Sequence, residues 1–164
     1  MVVQAGVAGC FDANIALGSV VIVKKEAIAD ESVIEVEKLR TLFDLELVPR
    51  DQFPFKNGWL VNDHHLVRMS KLKKVTAISV NEITTSKQRS KFYLDTFRPV
   101  IESMEGAALH YTCLMEKIPF VQLRSISNYI GERNKDKWDL KKSIVNLSNE
   151  LINLVEKITS NDKP

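Results

Sequence analysis

Hydrophobic positions along the chain alternate between short, nearly continuous apolar runs and longer segments with helical spacing. Residues 1–5 read as a strand and residues 6–10 as a glycine-punctuated turn built on Gly6 and Gly9. Residues 18–24 form a second run, apolar enough to be a buried strand. Residues 31–44 carry a mixed helical period, with Val36, Leu39, Leu42 and Phe43 on one side. Residues 48–62 read as a loop rich in proline, glycine and aromatics, one that must lie against the core or a partner subunit. A third strand is predicted over 75–80, then a loop or short helix over 84–91. Residues 99–103 lead into a helix starting near Met104, with Ala107, Ala108, Tyr111, Leu114 and Met115 on its apolar stripe. A fourth strand over 119–126 and a polar segment over 128–138 precede a last amphipathic helix. That helix sets Leu140, Ile144, Leu147, Leu151, Leu154 and Ile158 on one stripe behind Asp139 as its cap. The alternation of strand and helix argues for an α/β protein with a largely parallel sheet.

Composition narrows this picture. The chain has 164 residues, 45% of them hydrophobic and 27% charged, enough for one packed domain, residues 1–164. Its net charge of +2, without a basic block, argues against nucleic acid as a partner. No run approaches the ~20 apolar residues of a membrane span, and the start has no basic signal-peptide region. Cys10 and Cys113 have no metal-ligand spacing and are too few for a disulfide framework, so a reducing, cytoplasmic location is expected, with no metal and no cofactor.

Three short constellations carry candidate chemistry. Gly6-Val7-Ala8-Gly9 is either plain turn chemistry or a place where backbone N–H groups approach a small ligand. In Ser103-Met104-Glu105-Gly106-Ala107-Ala108, Glu105 can serve the helix dipole alone. The small residues after it also clear space for a sugar, whose hydroxyls would donate to the carboxylate while its face packs on the Met104 thioether. In Arg124-Ser125-Ile126-Ser127-Asn128, the Asn128 amide is either an Asx-turn element or a donor–acceptor pair matching the edge of a lactam-like ring. His64 and His65 read as loop residues, His110 is rotated away from Glu105, and Cys10 reads as a packing residue.

Taken in order, these motifs resemble the nucleoside phosphorylase/nucleosidase superfamily. Residues 43–60 and 103–138 look like the futalosine hydrolases, a menaquinone-pathway family related to methylthioadenosine/S-adenosylhomocysteine nucleosidase and purine nucleoside phosphorylase. The resemblance implies a three-layer α/β/α fold around a central mixed sheet, a homodimer or larger homo-oligomer, and a nucleoside as small-molecule partner. It implies that Glu105 holds the ribose hydroxyls, that Met104 packs on the sugar, and that Val7, Ala8 and Gly9 line the pocket. Asn128 stands where adenine-specific relatives carry an aspartate and 6-oxopurine phosphorylases an asparagine, in keeping with hypoxanthine as the base. Ile83 falls near a purine-stacking position, and Trp59, Arg133 and Trp138 are placed near the 5′ substituent.

The activity implied is hydrolysis of the N-glycosidic bond of futalosine, with catalytic roles for Glu105 and Asn128. A purine nucleoside phosphorylase and a methylthioadenosine-type nucleosidase are the alternatives. Superfamily members begin with a strand and a glycine-containing loop several dozen residues upstream of Met1. That region supplies a phosphate loop or a water-activating glutamate, so the chain is expected to hold the C-terminal two-thirds or more of the fold. An inactive nucleoside-binding remnant is the further alternative.

Overall fold

The computed structural model describes residues 1–161. Two long strands open the chain, β1 (Val2–Cys10) and β2 (Val20–Ile28). Two hairpins follow, β3 (Ser32–Glu35) with β4 (Lys38–Thr41), and β5 (Phe55–Lys56) with β6 (Trp59–Val61). Helix α1 (His65–Met69) leads to β7 (Lys73–Ser79), α2 (Lys87–Phe97), β8 (Ile101–Ser103), α3 (Gly106–Met115), β9 (Phe120–Tyr129) and α4 (Leu140–Asn161).

The sheet is mixed, as expected of this α/β class, but it does not stay open. β2, β7, β8, β1 and β9 pair in that order, and β9 returns to β2 through Ile22↔Leu123, closing a barrel. Three of the closing pairs, β2–β7, β7–β8 and β1–β9, are parallel. Ala8, Val21, Val23, Val75, Ala77, Ile101 and Ile126 fill the interior. Small and β-branched side chains are what so narrow a barrel can hold. One edge of β2 is shared: its first half meets β9 and its second half meets β6. A bulge at Lys24 separates the halves, leaving Lys24 exposed and Glu26 buried. Helix α4 covers the β9 side, where Leu147 packs on Ile22, Val121 and Leu123. On the β7 side α2 inserts Phe92 and Tyr93 against Ile78 and Val80.

Several elements differ from the sequence reading. The predicted turn at 6–10 is the second half of β1, because its glycines make room for neighbouring side chains and do not bend the chain. The predicted helix over 31–44 is instead the β3–β4 hairpin followed by turns. Val36 and Glu37 take positive φ at its tip, and Lys38–Thr41 buries alternate residues, a period of two that outweighs the partial helical period. The expected loop over 48–62 contains the β5–β6 hairpin, turned on Asn57-Gly58, a strong hairpin dipeptide that the aromatic content obscured. Its Phe55 stacks edge-on to Phe43, with ring centroids 5.0 Å apart, so the loop does lie against the core side. In α3 the buried face is Gly106, Ala107, His110 and Cys113. Met104, Tyr111 and Met115 of the predicted stripe are turned outward. In α4 Leu147 is buried but Leu140 and Ile144 are exposed, and Asp139 Oδ1 accepts from Lys142 N–H at 3.1 Å, as a cap should. Among the described residues no helix is long and apolar enough to cross a membrane.

Candidate active site

The middle of β1 and the ends of β8 and β9 border a cavity of about 500 Å³. Val7, Ala8, Gly9, Ile83, Met104, Glu105 and Asn128 all line it, so residues far apart in sequence meet on one wall system. The parallel pairing of β1 with β9 brings Val7–Gly9 beside Ser125–Asn128. Register shifts there: Ala8 faces Ile126 while Gly9 faces Asn128, so Ser127 is the extra residue of a bulge. The bulge aims Ser127 and Asn128 at the same cavity, where regular pleating would send them to opposite faces.

Asn128 is held by its neighbours yet keeps free valences. Its Oδ1 accepts from Ser127 Oγ at 2.8 Å and its Nδ2 donates to the Tyr129 carbonyl at 3.2 Å. One amide proton and one acceptor lone pair remain for a ligand. Gly9 lets Ile130 pack close beside it, since a Cβ there would come within 2.6 Å of Ile130 Cδ1 and push that side chain aside.

On the other side, β8 delivers Met104 and Glu105 just before α3 begins at Gly106. The Glu105 side chain is 62% exposed and reaches Arg124 Nη2 at 3.1 Å through Oε2. Arg124, only 4% exposed at its side chain, also donates to Gln4 Oε1 at 2.9 Å, and Gly6 is needed for it because a Cβ would collide with Nη1. The guanidinium is therefore a fixed donor beneath the carboxylate, leaving Oε1 of Glu105 open to the cavity. Ile83 stands at the rim. Its loop is pinned by Thr84 N–H donating to Glu102 Oε1 at 3.0 Å, and burial pushes the Glu102 carboxyl above its usual range.

Arg124 and Gln4 had no assigned role in the sequence reading; the pairing of an arginine with a glutamine across two parallel strands has no local signature. Trp138 also lines the cavity, and Arg133 lies over its ring at 6.0 Å. Trp59 does not reach this site: it packs on Phe97 under Lys25, at the β7 face. His110 is buried below α3, with Nδ1 3.2 Å from the Leu60 carbonyl. Among the described residues no cluster of His, Cys, Asp and Glu could hold a metal ion. A second cleft, of about 560 Å³, shares the Met104 wall and is faced by Phe43, Phe55 and Tyr111. Its polar lining includes Asp30, Glu31 and Asn81, with no guanidinium to steady a carboxylate as Arg124 does in the first.

Residues 1–160 match the family model of the phosphorylase superfamily. The chain belongs to the phosphorylase superfamily. A curated relative, futalosine hydrolase of Thermus thermophilus, is 28% identical over 142 residues, which is 85% of this chain and 62% of that protein. The superfamily chain described here thus spans less than two-thirds of that relative. Among solved structures, the 5′-methylthioadenosine/S-adenosylhomocysteine nucleosidase of Helicobacter pylori, bound to butyl-thio-DADMe-Immucillin-A, matches with a TM-score of 0.73 and 22% identity. The match covers 94% of this chain and 67% of that one. The native futalosine hydrolase of Helicobacter pylori matches with a TM-score of 0.72 and the same identity and coverage. The corresponding nucleosidase of Colwellia psychrerythraea, in complex with adenine, also matches with a TM-score of 0.72 over 94% of this chain and 65% of that one. At this identity the solved structures establish the superfamily fold.

Proposed function

We propose that this chain carries the nucleoside site of an N-glycosyl hydrolase that cleaves a 6-oxopurine nucleoside, with futalosine as substrate and hypoxanthine as the departing base. The observation that carries the reading is the meeting of Glu105 and Asn128 across one cavity, beside the Met104 thioether and the Ile83 side chain. Cleavage builds positive charge on the ribosyl ring and negative charge on the base. Glu105, steadied by Arg124, accepts from the vicinal hydroxyls and places negative potential near the growing cation. Asn128 meets the base with its free lone pair toward a protonated N7 and its free N–H toward O6. An amide does not supply the N7 proton itself, so that proton comes through water. Water is the nucleophile that completes hydrolysis, and the protein works as a homo-oligomer.

Hypoxanthine release from futalosine, followed with and without phosphate, tests this. Release that does not depend on phosphate is expected. A strict phosphate requirement would make the protein a phosphorylase. Faster adenine release from methylthioadenosine would assign it to the adenine-specific nucleosidases. A folded protein that is stabilised by hypoxanthine but releases none would be an inactive binding remnant.

A further inference from the structure

Beneath the segment that delivers Met104 and Glu105 lies a group of polar side chains sealed from solvent. They are Glu26 on β2, Ser79 on β7, His110 on α3 and Gln122 on β9. Gly106 forms their roof, for a Cβ there would collide with Glu26 Oε2 and Gln122 Nε2. Ser79 Oγ accepts from the Ala107 N–H at 2.8 Å and donates its proton to Glu26 Oε1, 3.1 Å away. The first turn of α3 is thereby tied to β2, and the two residues before it are tied with it.

Donor directions now fix one another. The Leu60 carbonyl can only accept, so His110 carries its proton on Nδ1. Burial keeps the imidazole neutral, with its pKa pulled down to about 4, which makes Nε2 an acceptor. Gln122 neighbours both His110 and Glu26. A half-turn of its amide, neutral in shape, presents the NH₂ to His110 Nε2 and the carbonyl to Glu26 Oε2. Two acceptors then face each other, and only a proton on Glu26 completes the contact. The half-turn and that one proton together give partners to Glu26 Oε2, to both amide atoms of Gln122 and to His110 Nε2, all otherwise buried without one.

We propose that Glu26 is a positioning residue working as a neutral carboxylic acid: its carbonyl oxygen accepts from Ser79, its O–H donates to Gln122, and it anchors the turn that presents Met104 and Glu105. Burial drives its pKa up to about 8, the direction this arrangement requires. The charged groups facing it are Arg124 from β9, which favours the ionised form, and Glu105 at the head of α3, which opposes it; His110 of α3 is neutral. The value of the anchor to a nucleoside site rests on the function proposed above, whereas the proton and the tie to α3 do not.

The test combines ¹³C-carboxyl NMR of glutamate-labelled protein with amide hydrogen exchange, on the wild type, Glu26→Gln and Glu26→Ala. A neutral glutamic acid is expected at pH 7, titrating near pH 8, with its signal missing from Glu26→Gln. Glutamine copies both the acceptor and the donor, so exchange at the Ala107 amide should stay within about twofold of wild type. Alanine removes both, and exchange there should quicken about tenfold or more at the same pH. An ionised Glu26 at pH 7 overturns the proposal. So does an Ala107 amide that Glu26→Ala leaves unchanged, or that Glu26→Gln accelerates equally. If Glu26→Ala does not fold, Ser79→Ala cuts the same tie from its other end, and unchanged exchange at Ala107 is again the refuting result. Neither readout uses a nucleoside, so a failure to cleave futalosine would count against the hydrolase reading alone.

Discussion

The buried pair Glu26 and His110 gives a pH dependence of stability in which two opposing slopes hide each other. Both side chains are 0% exposed, so solvent screening does not dilute the effect. The Glu26 carboxyl rises from 4.5 to about 8 on folding. Between those values the folded protein holds a proton that the unfolded chain has released. Stability is then fully present below pH 4.5 and falls, by about 1.4 kcal/mol per pH unit, until pH 8. The His110 imidazole moves from 6.5 down to about 4. There the unfolded chain holds the extra proton, so stability rises with pH at the same rate, from about 4 to 6.5. From pH 4.5 to 6.5 the two slopes cancel, and from 6.5 to 8 only the Glu26 loss remains, on the order of 2 kcal/mol. Glu26→Gln should remove that loss and uncover the His110 rise, on the order of 3 kcal/mol between pH 4 and 6.5, followed by a plateau. Urea unfolding followed by circular dichroism at half-unit pH steps reads both profiles as midpoints at constant m. If the two profiles run parallel from pH 6.5 to 8, Glu26 is not the group that titrates, and the assignment of its proton is wrong.

Gly106→Ala should cost about 1–3 kcal/mol in urea unfolding, since its Cβ must displace Glu26 and Gln122, and unchanged stability would show that these side chains do not pack against the first turn of α3. Glu105→Gln should lower turnover of futalosine about 100-fold or more while leaving the melting temperature nearly unchanged, because the side chain is 62% exposed. Near-normal turnover would remove Glu105 from the mechanism. Asn128→Asp should move the ratio of rates toward adenine nucleosides by about tenfold, measured on inosine and adenosine side by side. An unmoved ratio would show that Asn128 does not read the base.

The strand over 75–80, the strand over 119–126 and the terminal helix were legible because each is a local pattern, and their observed bounds, Lys73–Ser79, Phe120–Tyr129 and Leu140–Asn161, differ by a few residues. β2 was read too short because Lys24, Lys25 and Glu26 look like a strand end; the bulge at Lys24 lets the strand continue to Ile28. Of the predicted α3 stripe, Ala107 is buried, whereas Met104, Tyr111 and Met115 are exposed. Small Gly106 and Ala107, with polar His110, face the buried polar group, while the larger Met104 and Tyr111 face open clefts. Hydrophobicity is a guide to burial only where the facing surface is itself apolar.

By itself the sequence determined the α/β alternation and the three motifs, since each depends on neighbours a few residues apart. Tertiary structure alone decided that the sheet closes, that Ser127 bulges so Asn128 turns inward, and that Gln4 and Arg124 meet beneath Glu105. It also decided the state of Glu26, to which the sequence pattern assigns no role. The physical reason is that protonation and packing depend on what surrounds a group in space. Glu26 is enclosed by residues 53, 80 and 96 positions away, Ser79, Gly106 and Gln122. No pattern along the chain encodes the low dielectric that those contacts create together.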